Sequence, residues 1–220
     1  MVDYNPFISI TYSKNDTIVN RVDDKVELML LVNETLDHGG VIILKGSPGI
    51  GKSTVIGILE RELSKAKDID LIKEDFTPIV YNKLRNIQDK PGRRLLVILD
   101  DFNNIDMLDK LGQQKVIDLI YNMSQNMAIM LIENRDEGVE TVFKKQGKIF
   151  NKYQLDGLKK EEMKQLIISR LNTVRKNKSD SLEPFTQAEF EKIYKKSEGN
   201  SRIALLICSA LYDKKINSII

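Results

Sequence analysis

Eight consecutive residues, Gly46-Ser47-Pro48-Gly49-Ile50-Gly51-Lys52-Ser53, satisfy the spacing G-x-x-x-x-G-K-[ST]. Glycines at those positions let backbone N–H groups curl around a polyphosphate, and a helix N-terminus just beyond adds its positive end. In that arrangement Lys52 would reach the β- and γ-phosphates and the Ser53 hydroxyl would ligate Mg²⁺, with Thr54 closing the binding stretch. A tight turn between strand and helix accounts for the glycines but does not ask for Lys-Ser after them. The pattern therefore predicts binding of a nucleoside triphosphate with Mg²⁺ by residues 46–54.

A second set of candidate groups follows at Leu95-Leu96-Val97-Ile98-Leu99-Asp100-Asp101. An apolar strand ending in acids is the Walker B pattern. One carboxylate there holds Mg²⁺ through water and the next orients the attacking water. Asp100 is assigned to the metal and Asp101 to activation. Asp101 is one methylene shorter than glutamate, which favours slow hydrolysis and a switch over a motor. A third apolar run, Met127 to Ile132, ends in Glu133-Asn134-Arg135. A polar side chain there would contact the γ-phosphate; Asn134 is the first candidate and Arg135 the second, and a plain strand-to-loop transition accounts for the residues equally well. Asn177-Lys178-Ser179-Asp180 matches the N-K-x-D of guanine readers. It follows a lysine-rich helical stretch where that motif needs a strand, and Asp100-Asp101-Phe102-Asn103 lacks D-x-x-G. The base is therefore read as adenine and the nucleotide as ATP.

These groups need a scaffold, and the chain provides one. Its 220 residues, 41% hydrophobic and 30% charged, suit one medium domain with a small subdomain. A net charge of +2 gives no whole-chain basic footprint, so any nucleic-acid surface must be a local patch. Cys208, alone, excludes an intramolecular disulfide and fits a reducing compartment; in an apolar helix it reads as a small hydrophobe. With His38 the one histidine, a zinc site of the usual kind lacks ligands. No run approaches the ~20 apolar residues of a membrane span, and Asp3, Tyr4 and Asn5 do not begin a signal peptide. The expectation is a cytoplasmic protein without a membrane partner.

Val41-Ile42-Ile43-Leu44 reads as a buried parallel strand leading into the glycine loop, and Val55, Ile58, Leu59 and Leu63 as the helix leaving it, to about Lys65. Before them, Asn5-Pro6-Phe7 reads as an extended lead-in and residues 20–37 as an amphipathic helix closed by Gly39-Gly40, with His38 in its last turn. A short strand is expected at Ile69–Ile72 and helices over Pro78–Gln88 and Leu111–Gln125. Residues 139–150 read as helix or loop, and the last strand falls within Lys148–Leu155. Beyond Gly157 the chain is all helical. Lys159–Arg175 is amphipathic, Thr186-Gln187-Ala188-Glu189 opens a helix to about Ser197 as a capping box, and a last helix covers Ser201–Tyr212. The predicted fold is an α/β P-loop αβα sandwich with a mostly parallel five-stranded sheet over residues 1–156, followed by a small helical lid over 157–220.

With its parts in this order the chain resembles an AAA+ ATPase over nearly its full length. The sharpest likeness lies in the lid. Phe185-Thr186, Ile193, Ser197, Gly199 and Arg202, continuing through Leu206, Cys208, Ala210 and Leu211, are similar to the lids of ExeA/GspA-type ATPases and of the related TniB/TnsC-type transposition ATPases. Asp156-Gly157-Leu158, Glu161-Glu162, Arg170-Leu171 and the Asn5-Pro6-Phe7 start fit the same families. Archaeal origin-recognition ATPases and DnaA-like initiators share the layout more distantly. The resemblance implies that Asn134 acts as sensor 1 and Arg202 as sensor 2, with Lys52 and Asp101 completing the catalytic set. Arg202 has a physical case as well: at the start of a lid helix its guanidinium reaches a γ-phosphate and reports it by closure.

Two departures bear on function. No arginine stands between Asp136 and Leu155, where an arginine finger is expected; Lys144, Lys145, Lys148 or Arg135 would have to serve, or the finger is absent. No winged-helix or helix-turn-helix segment follows the lid. Two readings follow. One is an ATPase that forms a homo-oligomer with ATP and acts on or beside double-stranded DNA, in transposition, replication or maintenance of a mobile element, using lysines such as Lys144-Lys145 and Lys159-Lys160. The other is an ATP/ADP-gated signalling or adaptor switch whose partner is protein.

Overall fold

A computed structural model describes residues 5–8, 21–88, 90–134 and 138–217. Arg135, the second sensor candidate, lies outside them, as do Asp3 and Tyr4. The chain divides into two compact units, one of residues 23–47 and 55–155, the other of residues 1–22, 48–54 and 156–220.

The larger unit is built on five strands: β1 (Gly40–Lys45), β2 (Ile69–Asp75), β3 (Arg94–Asp100), β4 (Ala128–Glu133) and β5 (Asn151–Gln154). Every pairing is parallel and the spatial order is β2-β3-β4-β1-β5. The three central strands are apolar from Val41 to Leu44, Leu95 to Leu99 and Ala128 to Ile132 because both faces are covered, and charged residues stand only at their ends. One face presents Val41, Ile43, Val97, Leu99, Ile129 and Leu131 to α3 (Val80–Leu84), α4 (Lys110–Met123) and α5 (Val139–Lys145). Fully burying one such side chain is worth about 1.5–3 kcal/mol. The other face carries Ile42, Leu44, Leu96, Ile98, Met130 and Ile132, all buried. On that side lie α1 (Val22–His38) and α2 (Lys52–Leu63), joined by Lys25–Glu62 at 3.0 Å, with Glu60 of α2 reaching Lys73 of β2 at 3.2 Å. Gly39 turns the chain from α1 into β1 at φ 74°, and a Cβ there would fall 2.5 Å from the Ser124 carbonyl oxygen.

The edge strands behave differently from the centre. β2 extends to Asp75, past the expected Ile72, because its polar residues need only one covered side and their charges are paired. Asp70 meets Lys90 and Arg93, and Glu74 meets Lys83. The helix expected over Pro78–Gln88 shrinks to the five residues of α3. Ile79 stays 78% exposed and Val80 and Leu84 alone are fully buried, so one turn exhausts the apolar anchors. A 3-10 helix over Phe102–Met107, absent from the sequence reading, buries Phe102 and Ile105 beneath the acid pair.

The second unit holds α6 (Lys160–Leu171), α7 (Gln187–Ser197) and α8 (Ser201–Asn217). α6 ends four residues before the expected Arg175. Arg175 instead pins the following loop, donating to the carbonyls of Ser179, Ser181 and Glu183. The expected capping box is present: Thr186 Oγ1 accepts from Glu189 N at 3.2 Å and Glu189 Oε2 accepts from Thr186 N at 2.7 Å. The Asn5-Pro6-Phe7 start is a turn, not an extended lead-in, with Ile8 N donating to Asn5 O at 3.3 Å. Proline at the second position presets the turn, and Phe7 is thereby buried against Phe185 and Tyr212. Asn5 Nδ2 donates to Asp213 Oδ1 at 2.8 Å, locking the start onto α8. Cys208 is buried in this core, which pushes its thiol up to about 12. Among the described residues no helix is long and apolar enough to cross a membrane.

Candidate functional site

Loop residues 48–54 belong to the helical unit, and the reason is a set of hydrogen bonds to their carbonyl oxygens. Asn200 Nδ2 donates to Pro48 O at 2.9 Å, Ser201 Oγ to Gly49 O at 2.8 Å, and the Arg202 backbone N–H to Gly49 O at 3.2 Å. Arg21 Nη2 donates to Ile50 O at 2.6 Å, while its Nη1 reaches Asp156 O at 2.8 Å. Three consecutive carbonyls thus point at side chains of the protein. In a trans peptide the N–H lies opposite the carbonyl. The N–H groups of Gly49, Ile50 and Gly51 accordingly find no acceptor among the described residues. Gly49 and Gly51 make this path available by taking φ of 81° and 116°. Such a run of unpaired donors is an anion-binding concavity.

The remaining loop groups have the chemistry of a triphosphate and metal site. Gly46 is buried, Ser47 and Pro48 are exposed, and Thr54 N closes the first turn of α2 on Gly51 O at 3.0 Å. Lys52 is only 8% exposed and Ser53 is exposed. Arg202 is exposed, and its guanidinium has no partner among the described residues. Its Cβ lies where a Cβ on Gly49 would be 2.6 Å away, so Gly49 is needed for close approach as well as for its backbone angle. The structure therefore brings Arg202 onto the phosphate loop within one unit.

Two further glycines explain why the Asp156-Gly157-Leu158 stretch and Gly199 occur together. Leu158 N donates to Gly199 O at 2.8 Å, and a Cβ on Gly157 would fall 2.9 Å from Glu198 O. The two backbone segments touch directly. Arg21, missed in the sequence, is bound into the same region. It stands 25 residues before Gly46 and carries no motif, so only its burial at 6% and its two carbonyl partners identify it.

In the larger unit the carboxyl end of β3 collects the acids. Asp100 is half-buried, and its Oδ1 accepts from Asp101 N at 2.9 Å. Burial pushes its carboxyl up, and the charges of Asp101 and Asp75 add to this while the Asp101 N–H and Lys73 oppose it. Asp101 is exposed and left-handed, at φ 50°, where it starts the 3-10 helix. Asn134, at the end of β4, donates from Nδ2 to Asp101 Oδ1 at 3.4 Å and to Asn103 Oδ1 at 3.3 Å. The structure thus brings Asp100, Asp101 and Asn134 together.

The adjoining strand ends are held by buried charge. Lys45, 1% exposed, pairs with Glu140 at 3.4 Å, as does Lys152 at 3.4 Å. Burial pushes the Glu140 carboxyl up, but the two lysines outweigh it and hold it below its usual range. Glu133 caps α5 by accepting from Val139 N at 2.9 Å, and a Cβ on Gly138 would sit 2.4 Å from its carboxylate. Of the lysines weighed as an arginine-finger substitute, Lys148 is bonded to Asp118 and lies 5.1 Å over the Tyr121 ring. Lys144 and Lys145 are exposed in the last turn of α5. Asn177–Asp180 form an exposed loop between the helices α6 and α7 and follow no strand in the chain. Among the described residues no group of three or more His, Cys, Asp or Glu is placed to hold a metal without further ligands.

No protein-family model matches the sequence, and no curated protein does. Solved structures do match. Thermotoga maritima RuvB, a Holliday junction branch migration motor, is similar at a TM-score of 0.56 and 19% identity, covering 89% of this chain and 62% of that one. Drosophila ORC bound to DNA matches at 0.60 and 14% identity over 86% of this chain and 59% of that one. PCH-2 of C. elegans matches at 0.57 and 14% identity, covering 90% and 64%. This chain spans about six tenths of the length of each. What they share with it is the fold: a mostly parallel five-stranded sheet of the P-loop kind with flanking helices and a helical part after it.

Proposed function

We propose that this protein is an AAA+ ATPase that binds Mg²⁺–ATP in its 46–54 loop, hydrolyses it slowly, and uses the bound state to assemble on or beside double-stranded DNA. The observation that carries the reading is the row of unpaired N–H groups at Gly49, Ile50 and Gly51, turned away from carbonyls that the protein itself engages. Lys52 adds positive charge for the β- and γ-phosphates and Ser53 a hydroxyl for the metal. Asp100 would supply the carboxylate that holds the metal through water. When bound, ATP contributes the transferable phosphoryl group and Mg²⁺ neutralises the charge that develops on it. Asp101, with Asn134 donating to its Oδ1, orients the attacking water. Arg202 offers its unpartnered guanidinium to the γ-phosphate and reports it as sensor 2.

Action on DNA is supported by the lid resemblance to transposition ATPases and by two structural neighbours named for a DNA junction and for bound DNA. Residues 157–220 also carry thirteen Lys and Arg against eight Asp and Glu, a local positive balance that the whole-chain +2 conceals. Double-stranded DNA binding measured with a slowly hydrolysed ATP analogue, with ADP and without nucleotide, at two salt concentrations, tests this. Binding only with the analogue, weakened by salt, is the expected result; absence of binding in every state at low salt refutes the DNA reading.

The protein-partnered switch is the second reading. The engagement of Lys148 with Asp118 removes one of the few cations able to serve as a finger, which favours slow turnover and long retention of ATP. Release of a bound protein on hydrolysis, with no DNA affinity, would select it.

A further inference from the structure

We infer that Asn200 is a positioning residue that makes the phosphate loop and the first turn of α8 one mechanical element, so that Arg202 moves with the loop. The inference rests on the nucleotide-binding reading for its consequence, but not for its geometry. Both ends of the Asn200 amide are used. Oδ1 accepts from the backbone N–H groups of Arg202 at 3.1 Å and Ile203 at 3.2 Å, which makes Asn200 the N-cap of α8. Nδ2 donates to Pro48 O at 2.9 Å. Two N–H donors on one side and a carbonyl on the other admit one orientation of the amide, because only the NH₂ can donate to Pro48.

The surrounding contacts leave little room for the two segments to part. The Arg202 N–H is shared between Asn200 Oδ1 and Gly49 O, and Ser201 Oγ holds Gly49 O from the same turn. Asn200 is 9% exposed, and a Cβ on Gly49 would lie 2.9 Å from its Oδ1. A buried amide with all these partners loses more when one is removed than a solvated one would. The consequence is directional. A change in the loop path on filling its free N–H groups is passed to the helix that carries Arg202, through the side chain that caps that helix.

The test uses two substitutions that keep the cap and remove the grip. Asp and Ser cap helices about as well as Asn, yet neither donates to Pro48: Asn200→Asp places an oxygen there, and the Ser hydroxyl of Asn200→Ser is too short. Asn200→Ser also leaves the local charge unchanged. Hydrogen–deuterium exchange is measured on the nucleotide-free full chain, followed by titration with Mg²⁺–ATP. The expected result is faster exchange in both variants of the Thr54 N–H, which closes on Gly51 O at 3.0 Å, with the first turn of α8 still protected, and affinity for Mg²⁺–ATP lower by about tenfold. Unchanged loop exchange overturns the inference. Loss of protection in α8 in both variants also overturns it, because Asn200 would then act as a cap alone. If the parent protein fails to bind Mg²⁺–ATP while the variants still loosen the loop, the nucleotide reading falls and the coupling stands.

Discussion

The phosphate loop and the acid-bearing end of β3 are held in opposite ways. Pro48, Gly49 and Ile50 each give their carbonyl to a side chain or backbone donor from another part of the chain, at 2.6–3.2 Å. Asp101 and Asn134 meet at 3.4 Å, exposed or half-exposed, with Asn103 as their further neighbour at 3.3 Å. The first is a template whose shape exists before any ligand arrives. The second is a set of polar groups with slack in it, suited to being ordered by a cation. Substitutions should therefore cost fold at the loop and chemistry at the acids.

The largest effect is expected from Asp101→Asn. Turnover should fall about 100-fold or more, while melting temperature and Mg²⁺–ATP affinity stay close to those of the parent, as steady-state phosphate release and calorimetry would show. A fall in stability instead would mean that Asp101 is a structural member of the β3 end. Lys52→Ala should weaken Mg²⁺–ATP binding by about 50-fold through loss of a charge-assisted contact, read by isothermal titration; unaltered affinity would remove the loop from the binding site. Gly49→Ala separates the regions most cleanly. A left-handed backbone costs a non-glycine residue about 1–2 kcal/mol, and the added Cβ meets Arg202 Cβ at 2.6 Å. Denaturant unfolding should show that loss even without nucleotide.

The smallest effect concerns the capping box of α7. The Thr186 N–H holds the Glu189 carboxyl below its usual range, assisted by Lys215, against the upward push of burial. A carboxylate lowered in the folded state stabilises fully above its unfolded value, about 4.3, and its contribution is lost as pH falls through the folded value. Glu189→Gln should cost about 0.5–1 kcal/mol near neutral pH. It should also flatten the acid side of the stability profile below about pH 4.3. A parallel profile would show that the box contributes nothing through charge.

Much of the fold is legible in the sequence alone. Continuous aliphatic runs at 41–44, 95–99 and 127–132 declare strands covered on both faces, and the structure places them at the centre of the sheet. The Thr186–Glu189 capping box was read residue by residue because a cap is a local contract between near neighbours. Edge elements were harder. β2 and β5 are polar on their open sides, and α3 is one turn long, so the strand expected at Ile69–Ile72, the helix over Pro78–Gln88 and the strand within Lys148–Leu155 were located without their true bounds. The left-handed Asp101 and the 3-10 helix after it carry no sequence signature at all.

By itself the sequence determined the order of strand, glycine loop, helix and acidic strand end, because those depend on residue type over short windows. It also singled out Lys52, Ser53, Asp100 and Asp101 as the groups proposed to act on the nucleotide. Only the tertiary structure decided what holds them. Arg21, Asn200 and Ser201 lie 29, 152 and 152 residues from the carbonyls they engage. No local pattern records such a partner, since a hydrogen bond to a backbone oxygen asks nothing of the accepting residue's side chain. The loop's glycines could be read from composition; the donors that turn its N–H groups free could not.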